Sequence, residues 1–191
     1  MEKESVNLNT KTHRRLRRAY CRLLKGNEKI NVSSLTEEAE ISRATFYLYY
    51  KDIDEFLEKT ADYIVNAFTS TMIFFLNSTR SEVMEKCKRK NLTLTDDDFE
   101  LFHCVYKNDR GFSFDKKRLA KAFEVFHTNT EKYFSQRFIT KNKSRFELFY
   151  IGYVTVMRDD FFDYHSDRVA RDVLRTMDVW DYLFPDYKYK S

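Results

Sequence analysis

The sequence predicts an all-α protein, and three observations predict it. Glycine and proline are nearly absent, with only Gly26, Gly111, Gly152 and Pro185 in 191 residues, so the tight turns that an all-β fold needs lack their usual residues. Apolar residues recur at helical spacing through most of the chain. Hydrophobic residues make up 42% and aromatic residues 17% of the whole, enough to bury one large domain or a small one joined to a medium one.

From Thr10 or Thr12, Leu16, Ala19, Tyr20, Leu23 and Leu24 form one apolar stripe, with Arg14, Arg15, Arg17, Arg18 and Arg22 on the other faces. Lys25 and Gly26 mark the end of this helix, with Gly26 as its left-handed terminator. Asn31 or Ser33 then caps a short second helix, which turns Leu35 and Ala39 inward. Glu37 and Glu38 are expected within its first turns, where the dipole favours acids. Ile41 plugs a turn and Ser42 caps a third helix. In ISRATFYLYYKD, Phe46 and Tyr50 lie four apart and share an inward face, leaving Arg43, Ala44, Thr45 and Tyr47 on or near the outer side. Two short helices joined by a tight turn make a helix-turn-helix.

Asp52 caps a long fourth helix reaching about residue 77, with Asp54 and Glu55 in its first turn. Helical periodicity predicts further helices at roughly 80–90, 96–107, 115–138, 144–163 and 166–183. The polar stretch around Lys88 to Asp98 reads as the main loop. The organisation expected is a helix-turn-helix domain over 1–51 and a larger helical domain over 52–191.

Charge divides at the same place. Residues 1 to 51 carry a net +5 and the remainder a net −1; a basic head on a near-neutral body points to a polyanion partner. Cys21, Cys87 and Cys104 are odd in number and lack metal-ligand spacing. No apolar leader opens the sequence and no apolar run reaches spanning length, so a reduced cytoplasmic chain without a membrane partner is expected.

The pieces THRRLRRAYCRLLKG, NVSSLTEEAEISRATFYLYYKD and IDEFL together resemble the N-terminal domain of TetR-type (tetracycline-repressor-like) transcriptional regulators, over residues about 10 to 57. Beyond Leu57 the likeness reduces to an order of helices. The resemblance implies an all-α homodimer with a DNA-binding domain and a domain that senses a ligand and dimerises. By position, Arg43, Ala44 and Tyr47 would face base edges, and Thr45, Tyr49 and Lys51 would contact phosphates. The chemistry agrees: arginine can pair bidentately with guanine, and an alanine methyl or a tyrosine ring can touch the thymine methyl. The implied function is ligand-responsive, sequence-specific transcriptional regulation, as a repressor on a roughly palindromic operator. The dimer would form through helices 144–163 and 166–183, whose apolar faces include Tyr153, Met157, Val173, Met177 and Trp180. Three positions depart from the pattern: Glu40 stands where the turn usually has glycine, Leu48 where a basic or polar-capable residue is common, and Ile53 where many relatives carry a phosphate-binding lysine. They motivate an alternative, a relative that keeps the fold but acts as a co-activator by binding a protein partner.

Other residues have a functional and a plain reading. His13, Arg14, Arg17 and Arg18 either touch the sugar–phosphate backbone or form a solvated basic face. Phe99, Phe102, His103, Tyr106, Phe123, Phe126, His127 and Tyr150 either border an effector pocket or pack the core. Thr95 to Asp98 lacks the glycine and terminal glutamate of a calcium loop and reads as a capped helix start. Asp159, Asp163 and His165 read as polar residues at a helix end. No Gly-rich phosphate loop, metal cluster or nucleophile and base pairing occurs, so neither an enzyme nor a cofactor is expected beyond an unidentified small-molecule effector.

Overall fold

The computed structural model describes residues 11–88, 95–108, 116–130, 141–160 and 166–185. Among these the secondary structure is helical throughout: α1 (Lys11–Lys25), α2 (Val32–Glu38), α3 (Arg43–Tyr47), α4 (Ile53–Leu76), α5 (Arg80–Lys88), α6 (Asp96–Asn108), α7 (Lys116–Thr130), α8 (Lys143–Asp160) and α9 (Ser166–Leu183). They divide into two compact units. One holds α1, α2, α3, α4 as far as Ile64, and α6; the other holds α4 from Val65 with α5, α7, α8 and α9. The first unit is larger than the segment 1–51 marked from the sequence.

The first unit is built on the stripe of α1. Leu16, Ala19, Tyr20, Leu23 and Leu24 are all buried. Leu35 of α2, Ala39 just beyond its end, Phe46 of α3 and Phe56 of α4 are likewise buried. Tyr20, Tyr50 and Phe56 pack edge to face, with centroids 5.7 Å (Tyr20 to Phe56) and 5.2 Å (Tyr50 to Phe56) apart, the arrangement that ring quadrupoles favour. On α6, Phe99, Leu101, Phe102 and Val105 are buried too. Charged pairs edge the α1 and α6 contact, Arg18 with Asp97 at 2.7 Å and Lys25 with Glu100 at 2.6 Å. Both pairs are exposed, so burial rather than charge holds α6 in place.

The close of α1 differs from expectation. Asn27, not Gly26, takes the left-handed conformation, with φ 53°. The Glu28 N–H donates to the Leu23 carbonyl at 3.0 Å and the Asn27 N–H to the Leu24 carbonyl at 3.2 Å, a Schellman closure in which asparagine takes the glycine's role. α2 is also shorter than the placement of its acids assumed. It ends at Glu38, so Glu37 and Glu38 occupy its last turn, where the dipole opposes them; Glu38 is instead paired with Arg22.

Glu40 follows with φ 51°, the conformation that a side chain resists and glycine accepts. Arg15 offsets part of that strain by donating to the Glu40 carbonyl at 3.2 Å and to its carboxylate at 3.0 Å. Glu40→Val, whose β-branch opposes a positive φ, is expected to lower the urea-unfolding free energy by about 1–2 kcal/mol, whereas Glu40→Gly should not lower it.

In the second unit Trp180 is the hub, ringed by Phe149 at 4.9 Å, Phe126 at 5.6 Å and Phe184 at 4.1 Å. Phe68, Met72, Phe75, Val83, Phe146, Tyr153, Val173 and Met177 complete its buried interior. Arg80 joins α5 to α9 through Asp178 and Asp181.

Candidate nucleic-acid interface

Three caps set the geometry of the segment from Asn31 to Asp52. The Asn31 side chain accepts from the Ser34 N–H at 3.0 Å while the Ser34 hydroxyl accepts from the Asn31 N–H at 3.1 Å, a reciprocal box that starts α2. Ser42 accepts from the Thr45 N–H at 3.0 Å and starts α3. Asp52 accepts from the Glu55 N–H at 2.8 Å and starts α4. Between the first two, the Ala39 N–H donates to the Leu35 carbonyl and the Ile41 N–H to the Thr36 carbonyl, each at 3.0 Å. The turn is thereby closed without glycine.

α3 then sorts its side chains by face. Phe46 is fully buried and Tyr50 nearly so, while Arg43 and Ala44 are exposed and Tyr47 is 55% exposed. The Arg43 guanidinium donates to the Ser33 hydroxyl of α2, which orients it while leaving other donors of its fork for a ligand. Thr45 is half-buried and its hydroxyl shares a 2.8 Å hydrogen bond with that of Ser42. Tyr49 lies half-buried with its ring 4.8 Å from that of His13. Lys51 is exposed, its ammonium 3.7 Å from the Asp52 carboxylate, a pairing too exposed to hold it strongly. Its own N–H donates to the Glu55 carboxylate at 2.6 Å.

Of the helix-one residues weighed as backbone contacts, two are removed from that role. His13 is fully buried, with Nδ1 2.6 Å from the Tyr50 hydroxyl. Arg17 is buried with its guanidinium 3.8 Å over the Tyr63 ring, and Tyr63 in turn donates to Asp98 at 2.6 Å. Both residues tie the first unit together. Arg14 and Arg18 are exposed, though Arg18 pairs with Asp97. Periodicity does not separate these cases, because His13, Leu16, Arg17 and Tyr20 lie on one helical face (i, i+3, i+4 and i+7) and all four are buried.

Burial, with Arg17 and Lys59 nearby, lowers the His13 pKa from 6.5 to about 4. The folded chain therefore keeps His13 neutral where the unfolded chain protonates it. That contribution to stability is intact above pH 6.5 and is lost as the pH falls from 6.5 to 4. Urea unfolding across that window should show the decline, and His13→Gln should flatten it.

The eight effector-pocket candidates are divided between the units. Phe99 and Phe102 are buried in α6, His103 is half-buried beside them, and the Tyr106 side chain lies outside the described residues. Phe126 packs on Phe146 with centroids 4.6 Å apart, and Tyr150 accepts a 3.2 Å hydrogen bond from Thr69. Both are core residues. Phe123 and His127 are half-buried, 6.4 Å apart. None of the seven with described side chains lines the groove that α8 and α9 form, an open apolar trough of about 720 Å³ bordered by Leu148, Phe149, Gly152, Tyr153, Val179 and Tyr182.

The dimer residues need a similar correction. Tyr153, Val173, Met177 and Trp180 are buried in the chain's own interior, and the Met157 side chain lies outside the described residues. Among the described side chains, the apolar ones that these helices leave in solvent are Leu148, Ile151, Val179 and Tyr182. Both helices carry apolar residues on more than one face, and sequence periodicity does not say which face the chain itself covers. Asp159, Asp163 and His165 have no described side chains.

No family model, no curated protein and no solved structure matches this chain.

Proposed function

We propose that the chain is a ligand-responsive, sequence-specific DNA-binding transcriptional regulator of TetR type, acting as a repressor and as a cytoplasmic homodimer on a roughly palindromic operator. One observation carries the reading. α2 and α3 are each started by a cap and the tight turn between them is closed by backbone hydrogen bonds, so that Phe46 and Tyr50 anchor α3 from within while Arg43, Ala44 and Tyr47 stand in solvent. That is the division of labour a recognition helix needs, with anchors behind and readers in front. The net +5 on residues 1 to 51 supplies the attraction to phosphates.

In this reading Arg43 and Tyr47 meet base edges, and Lys51 meets phosphate without reading sequence. An effector that binds one conformation of the second unit better than another would shift the spacing of the two reading heads. α4 is the covalent route, since it continues from one unit into the other. Lys51→Ala should weaken binding to all sequences alike. It should also flatten the dependence of log affinity on log salt by about 0.9, the contribution of one neutralised phosphate.

A second reading is a co-activator that docks on a protein. Leu48, 80% exposed beside Tyr47, and the acidic side chain of Glu40 next to the reading helix favour it. A mobility shift with the DNA flanking the chain's own gene, at stated salt, separates the two. A discrete shifted band that resists unrelated competitor DNA supports the regulator, and its absence supports the co-activator.

A further inference from the structure

α3 presents two rows to solvent. Side chains four residues apart lie one above the other on a helix, so Arg43 aligns with Tyr47 and Ala44 with Leu48. Leu48 closes α3 with φ −67° and ψ −26°, and its N–H donates to the Ala44 carbonyl at 3.2 Å. The second row therefore keeps helical register although α3 itself ends at Tyr47. All four side chains are exposed. The first row ends in a guanidinium and a phenol; the second is aliphatic throughout.

An aliphatic row in solvent is out of keeping with its surroundings. Among the described residues of the first unit, the large apolar side chains that stand exposed are Tyr47 and Leu48, adjacent on this one helix. Ser33, Glu37, Glu40, Ser42 and Lys51 make the nearby exposed surface polar. Solubility alone would place a polar residue at Leu48 too.

Resting on the DNA-binding reading, we infer that the row of Ala44 and Leu48 reads thymine methyl groups, with Leu48 the specificity-determining residue. In the major groove only thymine offers an apolar group, its C5 methyl, whereas cytosine offers an amino donor that an aliphatic side chain would leave unpaired. Residues four apart rise about 6 Å along a helix, and successive base pairs are about 3.4 Å apart. The two side chains thus reach thymines one or two base-pair steps apart. Leu48 in this role adds a preference for T over C, so its departure from a polar residue alters what is read rather than weakening the contact.

The test uses the full chain and a duplex selected from a random pool at about 0.15 M salt. Each thymine of the selected site is replaced in turn by deoxyuridine, which keeps every hydrogen-bonding group and removes only the methyl. Wild type should lose about four-fold in affinity at one or two positions, the worth of one buried methyl. Leu48→Ala, at a site too exposed to disturb folding, should no longer distinguish thymine from uracil at one of them. Indifference of wild type to every replacement, or an undiminished four-fold effect in Leu48→Ala, overturns the inference while leaving sequence-specific binding intact. Failure of the pool to enrich any duplex removes both the inference and the reading it rests on.

Discussion

Arg43→Ala is expected to lower affinity for the preferred operator by about 1–3 kcal/mol, roughly five- to 150-fold, while leaving affinity for unrelated DNA within a few-fold of wild type. The guanidinium is exposed and already oriented by its hydrogen bond to Ser33, so little freedom remains to be lost when its other donors meet a base. Arg43→Lys is the informative control. It keeps the charge and therefore the phosphate attraction, but not the planar fork that a guanine edge accepts. If lysine restores affinity without restoring preference, Arg43 reads sequence; if it restores both, Arg43 acts as a point charge. Tyr47→Ala should relax preference at a different position, because the ring stands 55% exposed, braced edge to face on Phe46 with centroids 5.5 Å apart. Titration by fluorescence anisotropy against operator and scrambled duplexes measures both ratios. Arg43→Ala and Tyr47→Ala variants that bind the operator as wild type does would show that α3 is not the reader.

What the sequence reveals about this molecule follows from how local the controlling interactions are. Ser42 and Asp52 cap the helices they were expected to cap, and of Asn31 and Ser33 it is Asn31 that caps α2, because a cap involves residues three apart. The inward pair Phe46 and Tyr50 is legible for the same reason, as is α4, whose periodicity runs to about residue 77 and whose helix ends at Leu76. Misplacements arise where one local pattern permits two outcomes. A Lys-Gly ending allows either Gly26 or Asn27 to take the left-handed conformation, and the Schellman bonds select Asn27. Others arise where the partner is distant in sequence. Nothing near His13 announces that Tyr50 will bury it, and nothing near Asp98 announces Tyr63 and the cation stacked upon it. α6 is the larger case, since chain order places it within 52–191 and it packs in the first unit. Its pattern shows that it has an apolar face, but not whose apolar face it will meet.

The same distinction separates two kinds of substitution on α8 and α9. Trp180→Ala removes a ring that contacts Phe126, Phe149 and Phe184 in a closed interior, so it should cost about 3–5 kcal/mol of unfolding free energy. Any loss of dimer or of DNA binding that accompanies it would reflect unfolding. Leu148→Arg with Val179→Arg acts on side chains that are 63% and 50% exposed, where arginine stays hydrated and the chain's own core is untouched. Thermal unfolding should therefore change little. If a second copy covers this face, two guanidiniums per chain become trapped against apolar surface and against their counterparts, and sedimentation should report a monomer. A monomer also loses the gain from joining two reading heads, so operator affinity should fall by about 10²- to 10⁴-fold while the affinity of one head for a half-site persists. A double variant that still sediments as a dimer would place the two-fold contact elsewhere and leave the α8 and α9 groove open to a different occupant.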